Sequence, residues 1–130
     1  MIAVILASGR LERLYTGLSL LVSAAAEGER AFGLATFGAL PVLLDDGLVA
    51  SALRPEETPD LTEPGRALFA RTLGELVETA RELETCRLWA CAAAVETTNA
   101  APAAVRERFD GVLSTPRFLR ETAGARLVAL

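Results

Sequence analysis

The chain contains no histidine and no lysine; all 13 of its basic residues are arginine. Without an imidazole there is no Cys-His dyad, no Ser-His-Asp triad and no imidazole metal ligand. Without a lysine amine, Schiff-base chemistry and the phosphate-holding lysine of a P-loop are excluded too. Most hydrolase, aldolase and NTPase mechanisms fall away on these grounds. The chain holds only two cysteines, Cys86 and Cys91, at a spacing that fits neither a zinc site nor a CxxC redox pair. If the stretch between them is extended, their Cα atoms lie about 16 Å apart, beyond the roughly 7 Å reach of a disulfide. Both are therefore expected as free thiols, which together with the lack of a basic leader region points to the cytoplasm. No run reaches the roughly 20 apolar residues that span a bilayer, because "MIAVILA" is stopped by Ser8, Gly9 and Arg10. A net charge of -4 argues against a nucleic-acid partner, which calls for a basic face.

What is present is apolar: 52% of the 130 residues are hydrophobic, enough for one well-filled core and one domain over residues 1–130. Residues 2–7, "IAVILA", form a continuous apolar run of the kind that makes a strand buried on both faces. Leu14, Leu18, Leu21, Val22 and Ala25 then recur at helical spacing, with Gly28 as the stop. "RAFGLATF" returns to strand composition and "GALPVLLDDG" reads as a short helix with Pro41 in its first turn. Residues 45–65 change character. Pro55, Pro59 and Pro64 interrupt regular structure, and six carboxylates make the segment acidic, so a long mobile loop is expected there. A helix from about Arg66 to Leu83 follows, then the strand "CRLWAC", the helix "AAAVETT", and a short helical piece capped by Asn99 and opened by Pro102. "DGVLSTP" gives a fourth strand, "RFLRETAG" a brief helix and "ARLVAL" a fifth strand. This alternation predicts a three-layer α/β/α sandwich with a mainly parallel sheet of about five strands and right-handed crossovers.

Ligands of such sheets bind outside the carboxyl ends of the strands. Ser8, Gly9 and Arg10 follow the first strand there, Thr36, Phe37 and Gly38 the second, Cys91 ends the third, and Ser114 and Thr115 follow the fourth. The tripeptides "SGR" and "TFG" suit either a small-anion loop or a plain tight turn. Cys91 falls where a strand ends and a helix begins, a place that favours thiolate, and Arg10 adds positive charge if the first loop lies beside it. Cys86 follows a helix C-terminus, where the dipole disfavours thiolate, and reads as packing.

"LASGR", "ATFGAL", "LWACAAAVE" and the late "DGV", in that order and spacing over nearly the whole chain, resemble the DsrE/DsrF-like proteins. The resemblance implies a compact parallel α/β layer sandwich, association into homo-oligomers, and a persulfide carried on the strand-end cysteine, which is Cys91. It implies no metal and no bound cofactor, and a protein sulfur donor or acceptor as partner. Three readings stay open: a sulfur carrier acting through Cys91; a binding module whose carboxyl-edge pocket, around Ser8, Gly9, Arg10, Thr36, Phe37 and Gly38, holds a small anion or nucleotide; and an assembly subunit without a site of its own.

Overall fold

In a computed structural model describing residues 1–130, five strands form one all-parallel sheet. They are Ile2–Leu6 (β1), Ala31–Ala35 (β2), Cys86–Cys91 (β3), Gly111–Leu113 (β4) and Arg126–Ala129 (β5), in the order β4-β3-β2-β1-β5. Of the three inner strands, β1 and β2 are apolar throughout and β3 is interrupted only by the exposed Arg87, as burial on both faces requires. The two edge strands are the shortest, which limits the unpaired backbone offered to other chains. No helix is long and apolar enough to cross a membrane.

The helices are Leu11–Ala26 (α1), Ala39–Leu43 (α2), Leu48–Ala52 (α3), Glu63–Glu82 (α4), Ala92–Thr97 (α5), Pro102–Arg108 (α6) and Thr115–Glu121 (α7). Strands β1 to β4 step across the sheet in one direction, so right-handed crossovers put α1 and α4 on the same face. Gly17 of α1 rests on Leu6 and Val4, Gly33 lies under Leu21, and Tyr15 stacks on Phe69 of α4 at 5.0 Å. The step from β4 back to β5 runs the other way and places α7 on the opposite face. Phe118 of α7 meets Trp89 edge-on at 6.1 Å, and Trp89 points away from the Leu88 side of β3. The result is the three-layer sandwich expected from the alternation, closed over one core of 30 buried apolar residues.

The ends of the helices follow local chemistry. Gly28, at φ 84°, takes the left-handed conformation that stops α1. Thr62 accepts a hydrogen bond from the Gly65 amide to cap α4, with Pro64 in the first turn, where its missing N–H costs nothing. Helix α1 begins at Leu11, earlier than the periodic run from Leu14, because Leu11 extends the same buried stripe by one turn. Asn99 does not cap the next helix. It sits at φ 56° after α5, and Ala101 occupies the N-cap of α6.

The segment 45–65 departs most from expectation. Leu48 and Ala52, one turn apart, bury themselves to form α3, which packs on α4 through Val49 and Gly74. The prolines lie beyond α3 or within the first turn of α4, so they interrupt neither. Residues 53–62 are held by Arg66, a buried arginine whose Nε donates to Thr58 Oγ1 and whose Nη2 donates to the Thr58 and Leu61 carbonyls, each at 2.9 Å. The preceding Asp45–Gly47 turn is gripped from two sides. Arg81 of α4 donates to the Leu43 carbonyl, and Arg108 of α6 donates to the Leu44 carbonyl and to Asp46, completing the carbonyls that end α2. Burial lowers the pKa of Arg81, against the pull of Glu107 and Glu78.

Candidate functional site

At the carboxyl edge the first two loops are built against each other. A Cβ on Gly9 would stand 2.6 Å from the Gly38 carbonyl oxygen, and one on Gly38 would stand 2.8 Å from the Ala7 carbonyl oxygen. Both glycines therefore serve a backbone-to-backbone approach that no side chain permits. Ser8 Oγ accepts the Arg10 amide at 3.1 Å, and the Ala7 and Ser8 amides both go to the Leu130 carbonyl. Thr36 spends its amide and its hydroxyl on the Leu6 carbonyl. Ser114 caps α7. Of these residues only Arg10 and Phe37, the latter 52% exposed, present a largely free side chain to solvent.

Cys91 ends β3 and occupies the N-cap of α5, the position the sequence indicates, with two qualifications of geometry. Its side chain is 3% exposed and makes no capping hydrogen bond, and α5 has only six residues over which peptide dipoles can add. Strand β2 separates β1 from β3, so the loop of Ser8, Gly9 and Arg10 lies two strands away, about 10 Å at the spacing of sheet neighbours. The loops that adjoin Cys91 are those of Thr36–Gly38 and Ser114, neither of which brings an arginine from β1.

Both thiols are free. Cys86 faces the α1 and α4 side, and burial, with Asp110 nearby as the second cause, pushes its pKa up to about 11. The unfolded chain releases this proton near the ordinary value of 9.0, whereas the folded chain keeps it to about 11. Stability attributable to Cys86 is therefore intact below about pH 9 and falls as pH rises to about 11, by an amount on the order of 2 kcal/mol. Denaturant midpoints measured at about pH 8 and about pH 11 are expected to fall less in Cys86→Ala than in the natural chain; equal falls in both would show that this thiol does not control the alkaline slope.

A cavity of about 280 Å³ at this edge lies between the Gly9 loop, Pro41 and Val42 of α2, and the segment from Asp45 to Glu57. Its polar lining comes from that segment: Arg54 Nη2 donates to Ser51 Oγ at 3.0 Å and pairs with Glu57 at 3.5 Å. An adjoining open depression carries Arg10, Glu12 and Glu56. The cavity can hold a small molecule between an apolar floor, Leu11 and Leu48, and the Arg54 and Ser51 head groups. Cys91, Thr36, Phe37 and Gly38 do not line it. Sequence reasoning passed over Ser51, Arg54 and Glu57 because they fall in a stretch read as loop; their i, i+3 spacing was the available signal. No three acidic or thiol side chains cluster in a way that could hold a metal ion. No protein-family model matches the chain, and a search of curated proteins finds no match.

Proposed function

We propose that the chain is a DsrE/DsrF-like sulfur carrier in which Cys91 holds a transferable sulfur. The observation that supports this is position: Cys91 is the one thiol at the carboxyl edge, whereas Cys86 lies at the other end of β3 and is held protonated. In the loading step the Cys91 thiolate attacks the terminal sulfur of a donor persulfide. The Sγ–S bond forms as the donor's S–S bond breaks, and the donor leaves as a thiolate. An acceptor thiolate then attacks that terminal sulfur and Cys91 departs as thiolate. Each step exchanges one sulfur bond for another without net oxidation, so neither metal nor cofactor is needed. At 3% exposure the thiol is reached only when the structure around it opens, an opening that local fluctuation of the folded chain supplies.

The folded protein is treated with inorganic polysulfide and digested with trypsin, which cleaves after Arg87 and separates the two cysteines. One added sulfur, removable by reductant, is expected on the Cys91 peptide and none on the Cys86 peptide. Sulfur on neither peptide, or on Cys86 alone, rules the carrier out.

The cavity favours a second reading, a binding module for a small anionic molecule held by Arg54, with Cys91 as core. An inert Cys91 together with a ligand-induced rise in Tm that Arg54→Ala abolishes is the result that selects it.

A further inference from the structure

Three charged side chains line the cavity beside Gly9: Asp45, Arg54 and Glu57. Glu57 stands 3.5 Å from Arg54 and offsets its charge. Asp45 has no such partner. Its Oδ1 accepts the Gly47 amide at 2.8 Å, which leaves Oδ2 open, and Arg81 and Arg108, which share a second cavity with Asp45, make no ion pair with it. The adjoining depression repeats the balance, setting Arg10 against Glu12 and Glu56. A ligand bearing only negative charge would therefore meet an uncompensated carboxylate on entering. Hydrogen-bond donors are nevertheless available. Arg54 uses only Nη2, on Ser51 Oγ at 3.0 Å and on Glu57, so Nη1 and Nε have no partner, and the Ser51 hydroxyl keeps its own proton to give. The apolar wall is formed by the buried Leu11 and Leu48 and the half-buried Val42.

We propose, building on the second reading above that this cavity takes a ligand, that it binds a small aliphatic α-amino acid as the zwitterion. The carboxylate, the anionic group of that reading, is received by Arg54 and the Ser51 hydroxyl. The ammonium goes to Asp45, and the side chain lies on Leu11, Leu48 and Val42. A ligand carrying both charges answers the donors and the unpaired acceptor together, which neither a plain carboxylate nor a plain amine does. A volume of about 280 Å³ falls just below the roughly 300–1,000 Å³ of sites for drug-sized molecules, which restricts the occupant to a small one. Cys91 does not line the cavity, so binding here and sulfur transfer are tested apart.

The natural chain is titrated by calorimetry with L-leucine and L-valine, and with two leucine analogues: 4-methylpentanoate, which lacks the ammonium, and 3-methylbutylamine, which lacks the carboxylate. Saturable binding of an amino acid is expected, with each analogue at least about tenfold weaker. Asp45→Asn keeps the Oδ1 that holds the Gly47 amide, and Arg54 is exposed, so this variant and Arg54→Gln are expected to fold, as circular dichroism checks. Asp45→Asn is expected to weaken the amino acid at least about tenfold without weakening 4-methylpentanoate; Arg54→Gln is expected to weaken the amino acid without weakening 3-methylbutylamine. If 4-methylpentanoate binds as tightly as leucine and loses affinity only in Arg54→Gln, the amino acid is overturned while the plain-anion reading stands. Binding by none of the four probes overturns both. Amino-acid binding that both variants leave unchanged, or an amine that binds as tightly as leucine, also overturns the zwitterion site.

Discussion

Replacing Phe118 with alanine is expected to cost about 3–5 kcal/mol and to move the emission of the chain's single tryptophan to the red. Phe118 is fully buried, and its ring edge meets Trp89, which in turn stacks on Phe32 at 5.5 Å. It is the buried anchor that α7 drives into the second face of the sheet. Truncation removes the transfer free energy of a whole ring, leaves a cavity beneath a seven-residue helix and forfeits the aromatic contact. Against a total stability of about 5–15 kcal/mol, such a loss brings the domain close to unfolding. Urea titration followed by tryptophan fluorescence reads both quantities. Phe37→Ala, at an exposed ring, is the control and is expected to stay within about 0.5 kcal/mol. A loss below about 1 kcal/mol for Phe118→Ala would mean that other contacts hold α7 in place.

Arg66→Met is expected to cost about 2–4 kcal/mol, and to do so locally. Methionine keeps much of the buried stem but strands Thr58 Oγ1 and the Leu61 carbonyl and takes one of two donors from the Thr58 carbonyl, which keeps the Leu61 amide; abandoned acceptors pay a desolvation penalty. Arg66→Lys is expected to recover little, since one ammonium cannot bond three acceptors in the geometry of a planar fork. Amide hydrogen exchange should show protection lost across residues 53–62 while α4 from Leu73 onward keeps its own. Unchanged exchange in that segment would show that Arg66 is not what holds it.

The inner strands and the two long helices were readable because their signals are local. "IAVIL" is apolar throughout, Leu14, Leu18 and Leu21 repeat at one face of a helix, and Gly28 marks its stop. Helix α3 was not readable, because one buried turn from Leu48 to Ala52 leaves too short a pattern beside three prolines. The roles of Gly9 and Gly38 were hidden for another reason. Gly9 is small because of the Gly38 carbonyl and Gly38 because of the Ala7 carbonyl and the Gly9 amide, partners too distant in sequence for one window to contain both. At the candidate site the same division holds. That Cys91 ends a strand followed from the residues around it; that it is buried depends on tertiary packing that its own stretch of sequence does not contain. The separation of Arg10 from Cys91 depends on β2 lying between their strands, a matter of sheet order that local composition does not encode.

Strand order also dictates a schedule. Strand β1 is made before the other four, yet one of its two neighbours is β5, the last of the five to be made. Until Arg126 and its successors leave the ribosome, Ile2 to Leu6 form a bare apolar margin, and the Ala7 and Ser8 amides wait for the Leu130 carbonyl that receives them. Closing so long a loop adds little to the entropic cost once β5 has been made. It does mean that the nascent chain carries an unpaired, sticky strand edge from the making of β1 until the making of β5, an interval in which such edges find the wrong partner.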